Sequence, residues 1–126
     1  MSTEPRWYAL KVLAENQSID LNAGVPVDYS LLVSDSQYMP KYLFIHQVSA
    51  AAASAVVGLY TATGGGGTTI LAPTTLTGLT GANKCALIDL APFVDQLSGS
   101  TMYLRLTTAA GSAATCHAAV YGFNCE

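Results

Sequence analysis

Apolar and polar residues alternate with a period of two in several short stretches of this chain, and helical spacing is scarce. Met102 to Thr107 is the cleanest case: Met102, Leu104 and Leu106 fall on one face and Tyr103 and Arg105 on the other, the pattern of a strand that presents one side to a core. Thr115 to Phe123 repeats it, with Cys116, Ala118, Val120 and Gly122 opposite His117, Ala119, Tyr121 and Phe123. Lys41 to Val48 sets Leu43 and Ile45 against Tyr42, Phe44 and His46. Its aromatic and aliphatic content predicts a central strand buried on both sides. Further strands are predicted at Trp7 to Leu13, Ser18 to Leu21, Val25 to Val33, Ala55 to Thr61 and Cys85 to Leu90. A turn at Asn22-Ala23-Gly24 joins Ser18–Leu21 to Val25–Val33 as a hairpin, and Pro26 fits a strand start or an edge. Ser34 to Pro40 reads as a loop, residues 71–83 as a surface loop or short edge strand, Pro92 to Leu97 as one helical turn, and Ser98-Gly99-Ser100 as a turn. About eight strands with Gly-, Thr- and Ala-rich loops predict an all-β fold, a single antiparallel β-sandwich of jelly-roll type. The 126 residues suffice for one domain, with an N-terminal arm at 1–6 and the sandwich at 7–126.

Ala50 to Ala55 admits two readings: a short helical turn, since alanine has the best helix propensity, or a hairpin connection. An internal echo favours the second. Tyr42-Leu43 and Tyr60 enclose an Ala/Ser-rich segment, and 61 residues later Tyr103-Leu104 and Tyr121 enclose another, each spanning 18 positions from tyrosine to tyrosine. Gly111 inside the second copy argues against a helix, so the pair reads as twin hairpins, in keeping with the two similar halves of a jelly roll. Gly64 to Gly67 reads as a flexible turn. A phosphate-binding loop is excluded by context, because Thr-Thr-Ile-Leu-Ala-Pro follows instead of Lys-Ser/Thr opening a helix.

Charge changes the picture. Asp, Glu, Lys and Arg make up 10% of the chain, against about a quarter in an ordinary soluble domain. None occurs in the 42 residues between Lys41 and Lys84, nor from Leu106 to Cys125. A surface of Thr, Ser, Gly and Ala suits contact with other protein, whereas catalysis needs titratable groups brought together. The composition therefore points to an assembly component and away from an enzyme. The longest apolar stretch, Val48 to Tyr60, is interrupted by Ser49, Ser54 and Gly58 and falls short of the roughly 20 residues of a spanning helix, so no membrane helix is expected. The N-terminal residues lack the basic and apolar regions of a signal peptide, so folding in a cytoplasm is expected. Net charge is −3 and the five basic residues are scattered, which argues against direct nucleic-acid binding.

Candidate chemistry is sparse. Cys116 and His117 are strand neighbours and point to opposite faces, so they do not form a nucleophile–base pair. No zinc-type Cys or His spacing occurs, and Asp20, Asp28, Asp35, Asp89 and Asp95 form no calcium loop. No catalytic residue, metal ligand or cofactor site is expected. Three cysteines in a chain without an export signal favour free thiols, with a Cys116–Cys125 bridge as the alternative. Arg6, Trp7 and Tyr8 are the candidate partner-binding residues: Trp7 and Tyr8 either pack as part of the first strand or anchor the domain to a neighbour.

The blocks Val56-Val-Gly-Leu-Tyr-Thr-Ala-Thr-Gly-Gly-Gly-Gly-Thr-Thr-Ile70 and Tyr103-Leu-Arg-Leu-Thr-Thr-Ala-Ala-Gly-Ser-Ala-Ala-Thr115, with Val120-Tyr-Gly122, resemble the small β-sandwich decoration, or cement, proteins encoded among the head genes of tailed bacteriophages. The resemblance covers roughly residues 40–122. It implies a virion protein, made in the host bacterial cytoplasm and carried on the outer capsid surface, often as a homotrimer, that bridges neighbouring copies of the major capsid protein. It brings no catalytic residues. Two other functions compete: a receptor- or glycan-binding module of a head or tail fibre, stacking sugars on Tyr38, Tyr60 or Tyr121, and a small jelly-roll enzyme with a metal site.

Overall fold

A computed structural model of the chain describes residues 10–125. The period-two stretches become nine antiparallel strands: β1 (Lys11–Asp20), β2 (Val27–Val33), β3 (Gln37–His46), β4 (Val56–Tyr60), β5 (Thr69–Thr75), β6 (Ala86–Asp89), β7 (Leu97–Ser98), β8 (Thr101–Thr108) and β9 (Thr115–Asn124). A 3₁₀ turn at Thr63–Gly65 is the one helical element among the described residues.

The hydrogen-bonded order is β5-β4-β8-β2-β1-β9-β3-β6, with the two-residue β7 beside β3. It divides at β1–β2, whose register holds just two residue pairs, Ala14↔Val33 and Glu15↔Leu32. On one side lies sheet one (β1-β9-β3-β6), on the other sheet two (β5-β4-β8-β2). Leu43, Ile45, Ala118 and Val120 of sheet one share a single buried cluster with Leu31, Val57, Leu59, Met102, Leu104 and Leu106 of sheet two, so the sheets face each other. The β4–β5 link stays within one sheet, and the other connections between the eight main strands cross to the opposite one. This interlocking of two Greek keys is the jelly-roll form of the all-β sandwich.

The predicted hairpin opens. At the turn end, β1 leaves β2 to pair Ile19 with Cys116, while β2 pairs Val27 with Leu106. Core side chains such as Leu21 and Leu31, both fully buried, enter between them. β1 also runs unbroken from Lys11 to Asp20, where two separate strands were expected. Register shifts at Val12/Ala14 and Asn16/Ile19 absorb the polar run that interrupts its alternation. Residues 7–9 of the predicted first strand, and the arm at 1–6, lie outside the described residues.

Gln37 to Pro40 belongs to β3 and is not loop. Pro40, which has no N–H for the ladder, sits where the β3–β9 register shifts, opposite Gly122. A Cβ on Gly122 would overlap the Met39 carbonyl and crowd Leu13, so glycine is what lets the proline-bearing strand approach. β3 buries one face, where burial on both sides was expected: Leu43 and Ile45 are inaccessible, while Tyr42, Phe44 and His46 are half-buried on the outside, because no second layer packs over that side.

The twin hairpins are twin crossovers, because β3 and β9 belong to sheet one and β4 and β8 to sheet two. Ala52 and Ala55 are fully buried where the first crossing passes the core's end, and the Ala55 N–H donates to the Ala52 carbonyl at 3.1 Å in a tight turn, not a helix. Gly111, at φ 92°, serves the second. Pro92 to Leu97 is likewise no helix: the Phe93 N–H closes one turn onto the Leu90 carbonyl before β7. Residues 71–75 extend the edge strand β5, and the loop beyond buries Leu76 and Leu79.

Candidate interaction face

Each sheet has an outer surface, and the alternation that sends Leu43, Ile45, Ala118 and Val120 inward sends a row of rings outward on sheet one. The register pairs Tyr42 with Tyr121, Phe44 with Ala119, and His46 with His117 across β3 and β9. On the other side of β3, Tyr42 faces Asp89 and Phe44 faces Leu87. The rings touch in sequence. Phe44 stacks on His46 with centroids 4.9 Å apart, His46 meets His117 edge-on at 5.4 Å, and Phe44 meets Tyr121 edge-on at 6.4 Å. These are ordinary separations for favourable aromatic pairs.

At the Phe44 end, Leu10, Tyr42, Phe44, Leu87 and Tyr121 line an open groove of about 490 Å³. Its walls are apolar and exposed: Leu87 is 63% accessible, Leu10 46%, and Val12 beside them 40%. Carboxylates stand at its margins, Asp89 opposite Tyr42 and Glu15 opposite Ala119. The face combines stacked rings, large accessible aliphatic side chains and a centre without Asp, Glu, Lys or Arg.

Part of sheet two's outer surface is tied together by its own groups, although Leu32 of β2 is 71% accessible on the same side. Arg105 on β8 donates to both oxygens of Asp28 on β2, at 3.1–3.2 Å, and each side chain is 19% exposed. The second Asp28 oxygen also accepts the Gly64 N–H at 3.1 Å, so a carboxylate of the protein itself fills the anion-facing side of the tetraglycine turn. Gly64, Gly65 and Gly67 all adopt positive φ. The glycines thus take the backbone conformations that the turn requires, and one hydrogen bond ties it to β2. The Tyr60 ring lies over Gly58, where a Cβ would come within 2.8 Å of it.

Arg6, Trp7 and Tyr8, the sequence's partner-binding candidates, lie outside the described residues. Of the proposed sugar-stacking tyrosines, Tyr38 is fully buried and Tyr60 is 7% exposed, which removes both. Tyr121 alone opens onto the groove. The sequence did not single out Leu87 or Leu10, because their position depends on β6 pairing with β3 and on the start of β1. Alternation separated Tyr42, Phe44 and His46 from Leu43 and Ile45, and His117 from Cys116, but the expected burial of β3 on both sides left the open row unseen.

Cys116 points into the core and His117 out of it, as adjacent strand positions require. Burial pushes the Cys116 thiol up to about 12, so it stays protonated and unreactive at neutral pH. A Cys116–Cys125 bridge is ruled out by geometry. The two occupy opposite ends of an extended segment that rises about 3.3 Å per residue, far beyond the roughly 7 Å a disulfide spans. Burial also pushes Tyr29 and Tyr38 upward. Among the described residues, no three His, Cys, Asp or Glu side chains gather to share a metal ion. Nor is any helix there long and apolar enough to cross a membrane.

No family model and no curated protein matches the chain. Among solved structures it is similar to that of the Gt strain of infectious bursal disease virus, with TM-score 0.42 and 12% identity over 94% of this chain and 32% of that one. The Gx strain gives TM-score 0.40 and 12% identity over 91% and 32%. The VP2 subviral particle of the same virus gives 0.38 and 13% over 92% and 32%. This chain therefore spans about a third of the length of those chains.

Proposed function

We propose that this protein is a structural virion component that decorates a bacteriophage capsid and stabilises it by bridging major capsid protein subunits, with no catalytic role of its own. The observation that carries the reading is the outer face of sheet one, where Tyr42, Phe44, His46, His117 and Tyr121 form a charge-free ring surface flanked by the accessible Leu10, Val12 and Leu87. Covering such a face removes apolar area from water, at about 25 cal/mol per Å², and desolvates no ion pair at its centre. The jelly roll is an architecture used by viral capsid domains, and the charge-poor chain and the sequence resemblance to phage cement proteins agree with it. A homotrimer on the outer capsid surface, assembled after synthesis in the host cytoplasm, is the arrangement that the resemblance implies.

The test is sedimentation of the purified protein with phage heads that lack decoration. Co-sedimentation at a fixed ratio to the major capsid protein, with heads made more resistant to heat, is the expected result. Protein that stays in the supernatant, or that is captured by glycans and ignores heads, would overturn the proposal and favour the receptor-binding alternative through Tyr121 and its neighbours.

A further inference from the structure

The row of rings on sheet one ends in a pair of imidazoles that docking through the apolar groove leaves unused. His46 on β3 and His117 on β9 are register partners across the ladder, and their rings meet edge-on with centroids 5.4 Å apart. They are the two histidines of the chain. We propose that this pair is a chelating site for a divalent transition metal ion of the zinc, nickel and copper group, held by one nitrogen from each ring with solvent completing the shell.

Four observations carry the assignment. The first is spacing. Two imidazoles that share one tetrahedral ion, each nitrogen about 2.0–2.1 Å from it, put their ring centres roughly 5 Å apart. The rings already stand at nearly that distance, so no strand has to move. Phe44 stacks on His46 at 4.9 Å, only 11° from parallel, and holds that ring, while the broad terminal torsion of His117 lets it turn a nitrogen towards the same point.

The second is freedom. Among the described residues no hydrogen bond or ion pair engages either imidazole, whose partners are each other and Phe44. Both are half-buried, not enclosed, so an ion from solution can reach them. The third is rigidity. β9 lies between β1 and β3 in sheet one, so both ligands stand on paired backbone, and once one nitrogen binds, the second is supplied within the molecule. The fourth is chemistry. The nearest outward positions along the two strands are Phe44 and Ala119, which bring no ammonium to repel a cation and no carboxylate to favour calcium or magnesium. Neutral imidazole donors select zinc, nickel and copper.

The site asks nothing of a capsid and does not depend on that reading. One rival ligand stands close by in the fold: the free, exposed Cys85 directly precedes β6, whose Ala86 pairs with Ile45.

The test is a titration of the full-length protein with Zn²⁺ alone at neutral pH, followed through the ring C–H signals of its two histidines and by calorimetry. Both imidazoles are expected to shift together and to saturate at one ion per chain. His46→Gln and His117→Gln are each expected to weaken binding at least about tenfold, by removing the second ligand, and Cys85→Ser is expected to leave it unchanged. A shift of one histidine alone, or of neither, would overturn the proposal. So would binding that survives both histidine variants and vanishes in Cys85→Ser, which would hand the ion to the thiol. Saturation at one ion per two chains would overturn it too, by making the ion a bridge between copies. The wild-type titration decides by itself, so a variant that fails to fold does not shield the proposal.

Discussion

The two outer faces of this sandwich are built from the same kind of strand and differ in what holds them: an ion pair on one, stacked rings on the other. Around β8 sheet two ties up its own surface, where Asp28 satisfies Arg105 and the Gly64 N–H together and Tyr60 roofs Gly58, and its one large accessible aliphatic side chain on the described strands is Leu32. Sheet one leaves stacked rings, Leu10 and Leu87 accessible. The contrast shows how one chain with few charges allots them. The Asp28–Arg105 pair joins β2 to β8 on one face, and the centre of the other face is kept neutral, so that covering it would cost little desolvation.

The contrast can be broken most strongly at Gly58. Gly58→Val would drive a side chain into the Tyr60 ring and the Leu71 carbonyl, and up to about 3 kcal/mol of stability is expected to be lost, read as a fall in the urea midpoint. Asp28→Ala comes next. It leaves a mostly covered guanidinium and the Gly64 N–H without their acceptor, at an expected cost of about 2 kcal/mol. Hydrogen exchange at Gly64 and its neighbours would speed up in that variant if the carboxylate holds the turn.

A third measurement separates both faces from the core between them. Cys116 ionises at about 12 when folded, against 9.0 for an ordinary thiol, so between those values the unfolded chain has lost a proton that the native one retains. Stability is therefore full below about pH 9 and declines as pH rises towards 12, by up to about 1.4 kcal/mol per pH unit. Denaturation midpoints across this range should flatten in Cys116→Ala. The residual slope belongs to Tyr29 and Tyr38, whose shifts have the same sign. Smallest of all is the effect of Leu87→Lys on stability, expected within about 0.5 kcal/mol. A much larger loss there would mean that sheet one's face is as self-sufficient as sheet two's.

Much of this architecture was legible because alternation is a local property. β8 and β9 follow from Met102, Leu104 and Leu106 and from Cys116, Ala118 and Val120, which the core receives as expected. What alternation cannot supply is the partner of each strand. The Ala-rich segments looked like hairpin loops because a hairpin is the cheapest local connection, yet the shared core draws β3 and β4 into different sheets. Pro40 looked like a loop residue because its missing N–H weakens a ladder, but a register shift and Gly122 accommodate it. The interaction face was half visible. Alternation puts Tyr42 and Phe44 on one side of β3 and Tyr121 on one side of β9, but the aromatic content of β3 suggested burial on both sides. Leu87 joins the row only through the pairing of β6, and Asp28 and Arg105 meet across 77 positions of chain. Arg6, Trp7 and Tyr8 lie outside the described residues.

One further consequence lies in the place of β9, which sits between β1 and β3 at the middle of sheet one. Residues 115–124 are therefore the keystone of a layer whose other members emerge from the ribosome well before them. Until that keystone arrives, β1 and β3 have no common neighbour, and Tyr42 and Phe44 have neighbours only along β3 and on its β6 side. Folding of this half must wait on late, distant contacts, the kind that make β-rich chains slow to mature and in need of shelter while they do so.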